Sequence, residues 1–369
     1  MKKIFSILSV MAMFAMLTSC CFKEQKECEK CEKIPVALQL YSVRGDMAQD
    51  FYGTLKAVKE MGYDGVEFAG LYDNEPAQIK AWCEELGLNP ISAHVPLVEM
   101  LTDIDKVIAD YKTIGCEYIV VPYVTAERHP DGEQWAQTIE EIKAIGQKAK
   151  DAGLVLLYHN HDFEFKLTPE GKIGLDALYE AVPAELLQTE LDLCWVKYAG
   201  QCPVEYVKKY ANRAPVVHFK DYFAAGEQTE DPYALIGLNE GEKKESKAFE
   251  FRPLGCGVQD VAALLAAAKE ADSKWIVVEQ DSPSLDKSPM ECVKMSIDYL
   301  KSLCCKKECC DKSCDKNCEK NCDKAECKGD CEKKCADGCK KESCDKKCEK
   351  NCDKAECKGD CEKKCADCK

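Results

Sequence analysis

Eight short apolar runs, alternating with longer stretches of helical period, constrain this chain more tightly than any other feature. They are Pro35 to Tyr41, Gly65 to Phe68, Pro90 to His94, Tyr118 to Tyr123, Leu154 to His159, Thr189 to Leu193, Pro215 to Phe219 and Trp275 to Gln280. Runs of this length separated by helices form βα units, in which a parallel sheet is laid down strand by strand. The segments between them place apolar residues three and four apart, as in Leu55, Val58 and Met61 or Ile139, Ile142 and Ile145, the spacing of one helix face. Gly62, Gly87, Gly115 and Gly153 follow helical stretches, where a left-handed residue ends a helix before the next strand. Eight units close a barrel, so the fold class is α/β, a (β/α)8 TIM barrel over residues 34–303.

Several of these runs finish on residues that can do chemistry. The segment Tyr158-His159-Asn160-His161-Asp162-Phe163-Glu164-Phe165 holds two of the five histidines directly behind an apolar run, and other runs end in Asp192, His218 and Glu279. Parallel strands bring these ends together at the carboxyl edge of the sheet, where barrels of this type place their sites. Two imidazoles and two carboxylates make a mixed nitrogen and oxygen set for one divalent ion, Mn²⁺, Co²⁺, Zn²⁺, Mg²⁺ or Fe²⁺. Glu190 lies two residues before Asp192, on the same side of the strand and one layer deeper, where it can orient a ligand.

The remaining segments differ in character. Lys2 and Lys3, an apolar stretch from Ile4 to Leu17 and then Thr18-Ser19-Cys20 have the layout of an export signal. Leu17-Thr18-Ser19-Cys20 resembles a bacterial lipobox, which implies a lipoprotein signal over residues 1–20, lipidation at Cys20 and an exported protein anchored to the membrane through lipid alone. Residues 21–33 are charged and lack a hydrophobic period, as a tether does. Residues 304–369 form a low-complexity Cys-rich C-terminal tail with 18 of the 28 cysteines, in which Cys314 to Asp337 recurs at Cys344 to Asp367. Outside the cytoplasm such cysteines form disulfides in a spacer, with metal storage as the alternative. Cys194 and Cys256, inside the barrel, read as packing residues. The net charge of −15 repels phosphate backbones and argues against nucleic acid as a partner.

The long seventh connection, Tyr222 to Gly257, has the size of a lid. Within it Ala234 to Leu238 and Ala248 to Arg252 suit the two arms of a hairpin.

The motifs Tyr158-His159-Asn160-His161, Leu191-Asp192, His218-Phe219-Lys220-Asp221 and Val278-Glu279, with Gln39-Leu-Tyr-Ser-Val-Arg44 and Arg252-Pro-Leu-Gly-Cys-Gly257, resemble the xylose-isomerase-like barrels. That superfamily includes sugar phosphate isomerases and epimerases, inosose dehydratases and endonuclease IV. The resemblance implies one divalent metal held by Glu, Asp, His and Glu at the ends of strands five to eight. Asp192, His218 and Glu279 match, whereas His159 stands in the place of the first glutamate.

The implied activity is that of a sugar isomerase or epimerase, which takes a proton next to a sugar carbonyl through a metal-stabilised enediolate. Glu279, His159 and His161 are the candidate acid/base groups. A histidine at the first position makes a symmetric two-glutamate shuttle doubtful and opens elimination from a 3-keto-glycoside as the alternative. A non-catalytic sugar- or metal-binding lipoprotein is a third possibility. Around a small sugar substrate the sequence places Tyr41, Arg44, Glu67, His94, Glu164, Lys220 and Arg252, with Trp195 as an apolar face for the ring.

Overall fold

Residues 33–224 and 249–311 are described by a computed structural model, with side chains as far as Leu303. The expected signal with Cys20, most of the tether, residues 225–248 and the tail from residue 312 lie outside the described residues.

The eight runs form the eight strands of one closed parallel barrel. They are β1 (Val36–Gln39), β2 (Gly65–Phe68), β3 (Asn89–His94), β4 (Tyr118–Val121), β5 (Val155–His159), β6 (Gln188–Asp192), β7 (Val216–Phe219) and β10 (Trp275–Val278). Neighbours follow chain order, and β10 closes the ring between β7 and β1. The main crossover helices are α2 (Phe51–Met61), α3 (Pro76–Leu86), α4 (Leu97–Ile114), α5 (Trp135–Asp151), α6 (Gly174–Ala181), α8 (Pro203–Lys209), α9 (Val261–Glu270) and α10 (Pro289–Asp311). Short helices α1 (Arg44–Gln49) and α7 (Leu193–Tyr198) follow β1 and β6. Among the described residues no helix is long and apolar enough to cross a membrane. Gly62, Gly87 and Gly115 cap their helices in the left-handed region, as the sequence predicts.

The period of two along each strand sorts side chains between two cores. Outward residues such as Leu38, Val66, Ile119, Leu156, Leu191, Val217 and Val278 pack against the helices. Inward residues form a second, smaller cluster inside the ring, including Ala37, Val120, Leu157, Val216 and Val277. Two residues further along the same strands stand Gln39, His159, His218 and Glu279, all buried. The apolar layer therefore lies beneath a polar one, as the layered filling of such barrels requires.

The seventh connection leaves β7 as a two-stranded ribbon. Phe249–Arg252 does form a strand, β9, but it pairs antiparallel with β8 (Asp221–Ala224), directly after β7; Ala234 to Leu238 lie outside the described residues. Asp221 secures this ribbon by accepting hydrogen bonds from the backbone N–H groups of Tyr222, Gly255, Gly257 and Gln259, at 2.9 to 3.1 Å. A Cβ on Gly257 would lie 2.2 Å from Asp221 Oδ1, which explains why the segment Gly255-Cys256-Gly257 has no side chain there.

Two glycines inside helices should respond oppositely to alanine. Gly45 in α1 has open space around it, so Gly45→Ala raises stability by about 0.5–1 kcal/mol through lower chain entropy and better helix propensity. Gly146 in α5 would drive its Cβ to 2.2 Å from the Leu186 carbonyl oxygen, so Gly146→Ala lowers stability by roughly 1–3 kcal/mol despite the same propensity gain. Urea unfolding of the two variants checks both signs.

Candidate metal centre

Suitable ligand atoms of His159, Asp192, His218 and Glu279 lie within 4.8 Å of one another, and all four residues are buried. Each is fixed by its strand and by a partner behind it. Asp192 ends β6 and caps α7, its Oδ1 accepting from the N–H groups of Cys194 (2.7 Å) and Trp195 (3.1 Å). Its buried Oδ2 has no hydrogen-bond partner and lies 3.7 Å from His159 Nε2 and 3.6 Å from Lys220 Nζ.

Both imidazoles are anchored on one oxygen. Glu190 Oε1 lies 3.0 Å from His159 Nδ1 and 2.9 Å from His218 Nε2. With those nitrogens donating, His159 presents its Nε2 lone pair toward Asp192, and His218 presents Nδ1 toward Glu279 Oε2 at 3.1 Å. This is the arrangement in which a carboxylate fixes the tautomer of a metal-binding histidine. An orphaned carboxylate oxygen beside two oriented imidazole nitrogens fits a divalent cation, which His159, Asp192, His218 and Glu279 would hold.

Beneath this set lies a further polar layer. His94 Nε2 is 2.6 Å from Glu190 Oε1 and 3.2 Å from Glu67 Oε1, and His218 Nε2 is 2.8 Å from the same Glu67 oxygen. Gln39 Nε2 and Ser92 Oγ also donate to Glu67.

Burial opposes the charge on each of these groups, and neighbours decide the outcome. Burial favours neutral Glu190, but His218 and His94 outweigh it and hold the carboxyl well below its usual range. Burial likewise opposes the His218 cation, while Glu190 and Glu67 overcome it and raise that imidazole well above normal. Burial, then the neighbouring His218 and His94, pushes His159 well below normal. His161 is lowered well below normal by burial and by His159.

A cavity of about 1480 Å³ opens over the centre, with His159, His161, Lys220, Glu279 and Asp281 at its inner end and Tyr41, His94 and Tyr123 around them. Lys220 Nζ lies 2.9 Å from Glu279 Oε2 and 2.7 Å from Asp281 Oδ2. Burial works against its charge, but Asp281, Glu279 and Asp192 keep it an ammonium. His161 sits in an aromatic cage, parallel to Phe163 at 5.4 Å, tilted on Trp195 at 5.3 Å and edge-on to Tyr123 at 5.4 Å.

Five residues expected around the substrate do not line this cavity. Glu67 is wholly buried in the layer below, where imidazoles and Gln39 satisfy it. Glu164 turns inward and accepts from Tyr158 Oη (2.7 Å) and the His161 N–H (2.8 Å), burial pushing it up to about 8. Trp195 is buried with Tyr198, Phe249 and Phe251, behind His161 and away from the substrate side. Arg252 points along the ribbon, 2.6 Å from Glu250 and over Phe223. Arg44 covers the Tyr41 ring at 4.2 Å and donates to the Tyr41 and Asp281 carbonyls, so it positions the rim without forming it. Cys194 is buried in the Trp195 cluster, whereas Cys256 is exposed and does not pack.

The structure adds residues that the sequence reading passes over. Asp281 stands two residues beyond Glu279, a spacing that signals the same side. Asn160 joins β5 to β6, its Oδ1 accepting from the Asp192 N–H at 3.0 Å; no sequence pattern marks that bridge.

The architecture is thus a (β/α)8 barrel with a buried mixed nitrogen and oxygen centre at its carboxyl end. The chain belongs to the xylose isomerase-like TIM barrel family, which its residues 55–303 match. An inosose dehydratase from Geobacillus kaustophilus (strain HTA426) is 22% identical over 278 residues, spanning 68% of this chain and 86% of that relative. Among solved structures, a sugar phosphate isomerase/epimerase from Parabacteroides distasonis ATCC 8503 has a TM-score of 0.59 at 20% identity, covering 74% of this chain and 96% of that one. The IOLI protein with a bound zinc atom has a TM-score of 0.57 at 16% identity, covering 74% and 98%. These structural likenesses show the shared fold, and the dehydratase and the isomerase/epimerase are named as enzymes.

Two results are expected from metal titration. Glu190→Gln weakens divalent-ion affinity roughly 10–100-fold, because the common acceptor of both imidazoles loses its negative charge, and calorimetric titration reads the change. Wild-type affinity falls as pH is lowered and binding releases a proton, since His218, raised by its carboxylate neighbours, must free Nδ1 to ligate. Titrations in buffers of different ionisation enthalpy detect that proton.

Proposed function

We propose that this protein is a divalent-metal-dependent enzyme that removes the proton next to the carbonyl of a polyhydroxylated substrate, and that the outcome is elimination of a β-oxygen. The observation that carries the reading is the convergence of His159, Asp192, His218 and Glu279 in one buried cluster, of which His159 and Glu279 line the cavity. When bound there, a divalent ion would supply Lewis acidity to the substrate oxygens.

The chain's own residues suit one-sided proton removal. His161 reaches the cavity as a neutral imidazole, the state a general base requires. Its aromatic cage limits its rotation and keeps water from its faces. Lys220 presents an ammonium beside Glu279, where it donates to an oxygen that gains negative charge during the reaction. Burial opposes ionisation of Glu279, but Lys220 and His218 hold its carboxyl well below the usual range, so it stays a carboxylate able to ligate.

A symmetric exchange of one proton between two carboxylates on opposite sides of a sugar lacks its second member here, because β5 ends in His159. This asymmetry favours elimination over epimerisation, and the similarity to an inosose dehydratase over 86% of that protein's length agrees with it. We further propose that the protein is exported and lipid-anchored at Cys20, from the lipobox-like Leu17-Thr18-Ser19-Cys20.

The reaction is tested by proton NMR of the metal-loaded protein in deuterated water with an inosose, a 3-keto-glycoside and a panel of ketoses. The expected result is loss of the β-oxygen from a cyclic ketone. Accumulation of an epimer or aldose carrying solvent deuterium, with no eliminated product, would overturn elimination in favour of isomerisation. His161→Ala is expected to lower turnover about 10²–10⁴-fold while leaving metal affinity unchanged.

A further inference from the structure

The cavity extends well beyond its reactive end. About 1480 Å³ exceeds the roughly 300–1,000 Å³ that usually encloses a whole drug-sized ligand, so a single polyol ring leaves much of it unfilled.

The outer wall is apolar where a sugar site has no need of it. Val98 and Leu101 are 71% and 42% exposed and both line the cavity. They stand three residues apart at the start of α4, on one side of the helix. Asp103, at φ −154° and ψ 75°, breaks the helical geometry immediately after this turn, so the turn carrying them is set off from the rest of α4. Leu71 and Tyr72 line the same cavity from the loop after β2.

That loop is held in an unfavourable shape. Tyr72 and Asp73 are consecutive non-glycine residues with φ of 50° and 61°, a left-handed conformation that residues with a Cβ disfavour. Asn74 Nδ2 clamps it by donating to the Leu71 and Tyr72 carbonyls at 2.9 and 3.1 Å, and the Tyr72 ring rests edge-on against Phe51 at 5.9 Å.

Charge narrows the occupant further. Of the three cations among the described lining residues, Lys106 pairs with Asp110 and Arg128 with Glu141, while Lys220 lies at the inner end with Glu279 and Asp281. Asp73, Glu75, Glu99 and Asp103 stand on the same outer wall. A phosphate or carboxylate on the outer part of the substrate would meet acids and no uncommitted base.

We propose that Leu71, Tyr72, Val98 and Leu101 form a second subsite for an uncharged aromatic aglycone, so that the substrate is a keto-glycoside with its sugar ring at the metal centre. This rests on the reading of that centre as a sugar site. It goes further in assigning a second pocket and the chemistry of the group that fills it.

Binding to the full chain, loaded with Mn²⁺, is measured calorimetrically with phenyl β-D-glucoside and methyl β-D-glucoside, neither of which carries the ketone needed for reaction. The phenyl compound is expected to bind roughly tenfold tighter, from partial burial of its ring. The double variant Val98→Ser/Leu101→Ser is expected to abolish most of that preference while leaving methyl glucoside and Mn²⁺ affinity unchanged. Equal affinity of wild type for the two glucosides, or equal weakening of both in the variant, would overturn the subsite. Binding is read without turnover, so absence of elimination in the NMR assay with the aryl preference intact would remove the reaction and leave the subsite standing.

Discussion

One carboxylate oxygen organises the centre. Glu190 Oε1 faces nitrogens of His94, His159 and His218 at 2.6, 3.0 and 2.9 Å. A carboxylate buried this deeply is tolerated only with strong compensation, because loss of hydration costs several kcal/mol per ion in a protein interior. The imidazoles provide that compensation, and the contact in turn fixes which nitrogens of His159 and His218 look upward. Metal affinity, the direction of the ligands and the sign of the pH dependence all descend from this contact.

The barrel makes such a contact possible. Its inner apolar layer of Ala37, Val120, Leu157, Val216 and Val277 excludes water from below, so charges in the layer above interact at close range in a medium of low polarisability. Asp221 performs the corresponding task at the rim: four backbone N–H groups converge on it, tying the β8–β9 ribbon and the return toward α9 to the residue next to Lys220. Arg44 does the same for Tyr41 and the loop after β10. Segments on both sides of Lys220 and Asp281 are therefore anchored at residues adjoining the reactive groups.

Much of this is legible in the sequence. Period two within strands and three to four within helices reveals the eight units, and polar residues at the ends of four runs identify His159, Asp192, His218 and Glu279. Depth is harder to read. Glu67 and His94 both end strands near the centre, yet Glu67 is wholly enclosed while His94 reaches the cavity; β2 and β3 shift register between Val66 and Glu67, an irregularity with no sequence signature. Residues beyond a strand end are less legible still. Glu164 and Trp195 follow β5 and β6 by a few positions, and the intervening backbone turns both inward. Pairing of Phe249–Arg252 with Asp221–Ala224 joins segments far apart in sequence, which local periodicity cannot identify.

The central claim is that Glu190 orients His159 and His218 to place two imidazole nitrogens on one divalent ion. Pulsed electron paramagnetic resonance on the full chain loaded with one equivalent of Mn²⁺ tests it directly, since ¹⁴N couplings count bound imidazoles and Mn²⁺ favours oxygen and nitrogen donors over thiolates. The account predicts two imidazole couplings in the wild type and one in each of His159→Ala and His218→Ala. A spectrum without nitrogen coupling, or one that neither substitution changes, would contradict it.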